Sequence, residues 1–595
     1  MDRNTLLFIV LTAAVLIGWD AMVIAPQREA LKEQRRIEME TREAAQPNLT
    51  GDLAAAPEKA LTIEEAIAKA PGRVAIDTPS LVGSINLTGA RIDDLLLKNY
   101  RETLDDKSPM IRLLTPREAE HGHYIEQGFV ASDGLDSKLT EALVWSAPAN
   151  AKLTPSTPVT LTARLGSLVF EKTYSVDDKF MFTVKQTVRN EGATAEKVTP
   201  YGLVVQRGIP TDAGKFQILH EGPLAVVGKQ LLERKYKKAV KVVDEAAGEE
   251  GWVGITNKYW LAAAAPPQNQ PFKAILKNVG TETAPIFRAN YTLDEHTIAP
   301  GGTYELTSHL FGGAKDVDIL RSYEQPVDKG GLGIKDLDKA VDWGNFFFLT
   351  RPTFWLLDFF GDHIGNWGVA ILLLTLCIKA LMFPLANKAF ESMSAMKKVQ
   401  PKLEELKVKC GDDKAKLQQE MMELYKREKI NPLAGCLPIL IQMPIFYALY
   451  KTLFVTIELR HQPFMLWIKD LSAPDPTSIF NLFGLLPFDP TSVPMIGAFL
   501  GIGVLPVLYG IVMWLQTQMN PPATDPTQQQ IMNMMPFIFV FLFAGFGSGL
   551  VLYWLWSAAL SIVQQWYIMK RNGVEVNLAE RLPFLRGKKP ALEKK

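Results

Sequence analysis

Cysteine is nearly absent: the 595 residues hold three, Cys377, Cys410 and Cys436, all in the second half of the chain. None has zinc-ligand spacing, and with none before Cys377 the first half has no disulfide framework, which leaves its redox compartment open. Histidine is scarce too, at seven. His121, His123, His220, His296 and His309 stand at no spacing that a metal site or a nucleophile's base requires, so they are expected as scattered surface residues. No GxxxxGKS/T sequence occurs, which excludes a P-loop. Net charge is also missing, with 64 basic against 64 acidic residues. No catalytic residue, metal or cofactor is expected.

The zero balance conceals segregation. The second half contains long apolar runs, and in Gly368 to Lys388, GVAILLLTLCIKALMFPLANK, a single charge, Lys379, sits in the middle. A buried ammonium at the bilayer centre costs about 2.5–3.5 kcal/mol on insertion scales, so such a residue faces protein or water and is a functional candidate. At 1.5 Å per residue it lies about 13–16 Å from either end of the run. Thr375, four residues earlier, shares its helical face. A polar cavity inside a bundle is the expected setting; the alternatives are a lysine that reaches headgroups or pairs with a carboxylate.

Residues Leu6 to Ile24 form a first apolar span, read as an uncleaved anchor because of its length and bulky Trp19, with a cleavable signal as the alternative. A charged, Ala- and Pro-containing tether follows. From Arg73 to Gln325 the pattern changes to period two, as in Val159, Leu161, Ala163 and Leu165, or Phe180, Phe182 and Val184, with turn signals at Asp177-Asp178 and Asn190-Glu191-Gly192. This predicts a large antiparallel sandwich. Leu337, Ala340, Val341, Gly344, Phe347 and Phe348 share one helical face ahead of an aromatic run, Phe354, Trp355, Phe359 and Phe360. An amphipathic helix in the membrane interface is expected, or else one packed on the sandwich.

After the lysine-bearing span, Met396, Val399, Leu403 and Leu406, then Leu417, Met421 and Leu424, step by three and four around Cys410-Gly411-Asp412-Asp413. Two helices zipped as a coiled-coil hairpin follow from that spacing. Its many lysines place it on the cytoplasmic side. Further spans begin near Leu433 (with the intramembrane Gln442), Met495, Ile531 and Leu550. Gly497, Gly501, Gly503 and Gly510 in the fourth are expected to allow close helix packing. The basic tail then puts both ends inside and the sandwich outside.

Four segments, Gly365-Asn366-Trp367-Gly368, Asn431-Pro432-Leu433-Ala434-Gly435-Cys436, Leu440-Ile441-Gln442-Met443-Pro444-Ile445-Phe446 and Ser548-Gly549-Leu550-Val551-Leu552-Tyr553, resemble the YidC/Oxa/Alb insertases in their six-span Gram-negative form. The resemblance implies an α-helical membrane bundle, five core spans plus an N-terminal anchor, with a large all-β periplasmic sandwich and a cytoplasmic helical hairpin. It implies anchor 1–26, linker 27–72, sandwich 73–330, interfacial helix 336–362, and spans 366–388, 433–457, 495–517, 531–545 and 549–567. Hairpin 389–432, periplasmic loop 458–494, cytoplasmic loop 518–530 and tail 568–595 complete the chain.

In that family the core spans surround a hydrophilic groove closed toward the outside, with a basic residue in the first. The usual arginine is Lys379 here, which keeps the charge but loses the planar fork. Thr375, Gln442, Tyr553 and Trp554 match other groove positions, Trp554 standing where a second tyrosine is common. The resemblance implies insertion and folding of nascent inner-membrane proteins, alone or with the Sec translocon. Ribosome and targeting-factor contacts fall on Lys588, Lys589, Lys594 and Lys595, with the lipid bilayer as surroundings and no sequence-specific nucleic acid. Other classes remain: a secondary transporter, though no repeat of spans is visible, or an anchored periplasmic ligand-binding protein or enzyme.

Overall fold

The computed structural model describes residues 61–131, 143–210, 213, 219–411, 413–428, 437–486, 488, 490–493, 497–520 and 526–573. The expected anchor, most of the tether, Cys436 and the basic tail with Lys588, Lys589, Lys594 and Lys595 lie outside them. The end of the tether, assigned to the linker, instead forms helix α1 (Ile63–Lys69), closed by a capping box between Thr62 and Glu65. Leu61 bridges to Ala119 and Ala66 is buried.

Among the described residues, strands from Arg73 to Ala314 build two sheets of eleven and eight strands. Period two shows in burial: along Val159–Leu165, Val159, Leu161 and Ala163 are buried between more exposed threonines, as side chains on one face of a pleated strand must be. Asp177 Oδ1 accepts from the backbone N–H of Lys179 and Met181, and Asn190 Oδ1 from that of Gly192, so both turn signals act through their own side chains. Trp252 is fully buried where its strand meets the next. Beside it Gly251 has φ +137°, and a Cβ there would meet Val226 O at 1.9 Å. Two histidines depart from the surface expectation. His123 and His220 are buried, and the His123 ring bonds Val205 O at 2.8 Å.

Helix α2 (Val317–Glu324), capped by Asp316, packs Val317, Leu320 and Tyr323 into the sandwich core. The expected helix 336–362 is divided. Leu337–Ala340 is a 3-10 turn whose Leu337 and Ala340, with Val341, join the sandwich core. Gly344 takes φ +71°, a conformation that breaks a helix, and α3 (Phe347–Ile364) starts beyond it. Phe347, Phe348, Trp355 and Phe359 are exposed, while Thr350, Phe354, Leu357 and Gly361 face inward.

Helix α4 runs from Trp367 to Cys410 without interruption and is, among the described residues, the one long and apolar enough by length and composition to cross a membrane. The first arm of the expected hairpin is thus a continuation of the lysine-bearing span. The second arm is α5 (Lys414–Arg427). Val399, Leu403 and Leu424 are buried and Lys402 pairs with Glu428 at 2.6 Å. Among the described residues four longer helices follow, α6 (Leu437–Val455), α7 (Val504–Met519), α8 (Pro526–Phe543) and α9 (Ser548–Arg571). The expected fourth span at 495–517 is cut: Gly497–Leu500 is a separate turn, and α7 begins only after Gly503. Of its glycines, Gly510 does bring two helices together, since a Cβ would meet Val540 at 2.3 Å, whereas Gly503 makes room for Asp475 of the preceding loop.

Candidate intramembrane site

Lys379 lies twelve residues into α4, about 18 Å from its start at 1.5 Å per residue. Around it the helix is apolar: Ala370, Ile371 and Leu374 are buried, while Leu376 and Leu381 point outward. The Lys379 side chain turns toward α9, where Nζ donates to Ser561 Oγ at 2.7 Å. That hydroxyl in turn donates to Ser557 O one turn earlier at 2.8 Å. Among the described residues no carboxylate pairs with Lys379. Its charge therefore sits at depth with a neutral hydroxyl partner, half-buried, with donor capacity left on an ammonium that has three N–H groups.

Thr375 is 2% exposed, and its hydroxyl donates to Ile371 O at 2.7 Å, so it is back-bonded within its own helix. Trp556 Nε1 donates to Leu372 O at 3.2 Å, pinning α9 against α4 at this level. Gln442 belongs to α6 by backbone, and its side chain lies outside the described residues.

Tyr553 and Trp554 are buried in α9. Trp554 stacks on Phe543 of α8 at 3.8 Å between centroids, on Phe446 of α6 at 5.7 Å, and packs edge-on against Phe546. Its ring is where α6, α8 and α9 meet. Indole suits this place because it supplies area and rigid stacking rather than a hydrogen bond: Nε1 is buried with no partner among the described residues. The structure thus joins Lys379 to α9 and Trp554 to α6 and α8, and keeps Thr375 within α4.

Five further residues were not singled out in the sequence. Ser557 and Ser561 form, with Gln564, a polar row at helical spacing along an otherwise apolar span, a signal the charge of Lys379 obscured. Lys451, near the C-terminal end of α6, is 1% exposed and pairs with Asp342 at 2.6 Å. Asp342 Oδ2 also accepts from His220 N at 2.7 Å, and Oδ1 from Gly344 N at 3.1 Å. Burial opposes the Asp342 charge, yet the Lys451 ammonium and the His220 backbone N–H hold its carboxyl below the usual range. A span, the sandwich and the strap between them converge on one carboxylate.

Two family models together match most of the chain: the YidC periplasmic domain over residues 73–356 and the 60Kd inner membrane protein over 359–575. A membrane protein insertase YidC of Rhizobium meliloti (strain 1021) is 46% identical over 601 residues, covering 99% of both chains. That of Beijerinckia indica is 47% identical over 602 residues, covering 98% of both. A crystal structure of an active YidC insertase with its first transmembrane domain resolved is 19% identical, covering 83% of this chain and 92% of its own, with a TM-score of 0.35. The chain belongs to the YidC family of membrane protein insertases, proteins of the inner membrane with a periplasmic domain.

Proposed function

We propose that this insertase lowers the barrier to a polar segment crossing the membrane by offering it the Lys379 ammonium at mid-depth between α4 and α9. An unsatisfied polar group in hydrocarbon costs several kcal/mol, so a short hydrophilic tail is held back by its dry path. A positive charge with a hydroxyl neighbour attracts the acidic groups of that tail and shortens the path. The substrate's apolar segment then leaves sideways into lipid, past α6 and α8, driven by partitioning and, for an acidic tail, assisted by the membrane potential. Ser561 holds the ammonium toward the bundle, and Trp554 fixes the helices that border the exit.

The observation that carries this reading is a half-buried lysine in the middle of an apolar helix with a serine, not a carboxylate, as its hydrogen-bond partner. A paired charge would have little field left for a substrate; this one is available. Six spans with both ends cytoplasmic, work beside the Sec translocon, and ribosome or targeting-factor contacts through Lys588, Lys589, Lys594 and Lys595 belong to the same proposal. Deleting the residues after Lys570 is expected to reduce ribosome co-sedimentation. For the site itself, a photocrosslinker placed at Ser561 or Gln442 should capture a stalled nascent membrane protein, and one at Val327 on the sandwich should not. Equal yields at all three positions would remove the case for a groove.

A further inference from the structure

The loop between α6 and α7 presents apolar side chains that no other described residue covers. Phe480, Leu482, Phe483 and Leu485 are exposed, Leu485 to 82%, followed by Leu486 and Phe488. From Pro476 to Ile502 the sequence carries one charge, Asp489. Such a patch on a water-facing loop would be a liability for solubility.

The loop is nevertheless built. Asp475 accepts from Thr477 N and from Leu505 N at the start of α7, at 3.0 and 2.8 Å, and Thr477 Oγ1 accepts from Val504 N at 3.0 Å. Ser478 Oγ donates to Leu500 O at 2.6 Å, and Ile479 N to Ile502 O at 3.2 Å. At the tip Leu482 and Phe483 have φ of +50° and +61°, a region that side-chain-bearing residues seldom occupy. Hydrogen bonds from Phe483 N to Ser478 O and from Leu486 N to Asn481 O hold them there. The same framework that ties the loop to α7 turns its large apolar side chains outward.

Ile479 continues this surface into the membrane-helix pair. It lines, with Gly510, Ile511, Trp514, Phe537 and Val540 among others, a cavity of about 420 Å³ between α7 and α8. Loop and cleft, both apolar, thus adjoin through Ile479.

We propose that the 478–493 loop is inserted into the outer leaflet of the inner membrane, with phospholipid acyl chains covering its tip and occupying the α7–α8 cleft. Lipid fits because the surface is continuous with helices that already face hydrocarbon, and because it lacks the charged rim of a protein-binding patch. The proposal requires only the membrane location and not the role of Lys379, so either can fail alone.

The test uses full-length protein with Cys377, Cys410 and Cys436 replaced by alanine, reconstituted into phosphatidylethanolamine–phosphatidylglycerol vesicles. An NBD fluorophore is attached in turn through Leu482→Cys, Leu485→Cys and, as an exposed apolar control on the sandwich, Val327→Cys. Both loop labels should be quenched by spin-labelled phospholipid and be several-fold less accessible to aqueous iodide than the control. Iodide quenching equal to that at position 327 would overturn the proposal. So would shielding from both quenchers, which would indicate contact with a second copy of the chain.

Discussion

Residue choice at the intramembrane site follows from what each side chain can exchange with its surroundings. Lys379 meets a hydroxyl, which satisfies one donor without neutralising the charge. Trp554 meets aromatic faces on two neighbouring helices. Because its indole N–H has no partner among the described residues, Trp554→Phe should keep most of the stability, whereas Trp554→Ala should cost about 3–5 kcal/mol through the cavity it leaves. Thermal unfolding in detergent separates the two; equal losses would mean that the N–H is bonded after all. The lysine was legible in the sequence because a lone charge in an apolar run is conspicuous. Ser561, 182 positions away, was not, since serine is common in helices and only the packing of α9 on α4 selects it. Buried His123 and His220 were misread for the same reason: spacing says nothing about what covers a side chain.

Among elements, the joint between sandwich and membrane helices carries unusual electrostatic weight. Removing one member of a buried ion pair typically costs about 3–5 kcal/mol, so Asp342→Asn and Lys451→Met should each destabilise the protein on that order. The double variant should lose less than the sum, as a double-mutant cycle of unfolding midpoints would register; strictly additive losses would deny the coupling. A second carboxyl at this joint, Glu458, accepts from Val317 N at 3.3 Å while its Oε2 is buried without a partner among the described residues. Burial, then the nearby Asp316 charge, pushes its pKa from 4.5 up to about 8. Between those values the folded protein holds a proton that the unfolded chain releases, so this group's contribution to stability is present at low pH and declines from about 4.5 to about 8. Relative to Glu458→Gln, the native protein should therefore lose stability as pH rises through that window; parallel pH profiles would contradict it. Strands were readable here because a half-buried sheet imposes period two. The segment from Leu337 to Val341 was not, because a buried 3-10 turn offers apolar residues at intervals that imitate a helical stripe.

At the scale of the whole molecule, the periplasmic sandwich and the helical core are recognisable by composition alone, since one alternates and the other is continuously apolar. Their junction is not, because Lys451 and Asp342 are 109 positions apart and each lies in a stretch dominated by its apolar neighbours. The uninterrupted α4, apolar segment and charged arm in one 44-residue helix, was likewise hidden by the change from apolar to charged sequence, which alters what the helix faces without ending it. One continuous helix connects the depth of Lys379 to the turn before α5. The measurement that bears most directly on this view is insertion of a short-tailed acidic membrane protein into proteoliposomes by the native chain, Lys379→Ala and Lys379→Arg. The account predicts that alanine lowers the insertion rate on the order of tenfold, about 1.4 kcal/mol, and that arginine preserves it. Equal rates for all three would contradict it.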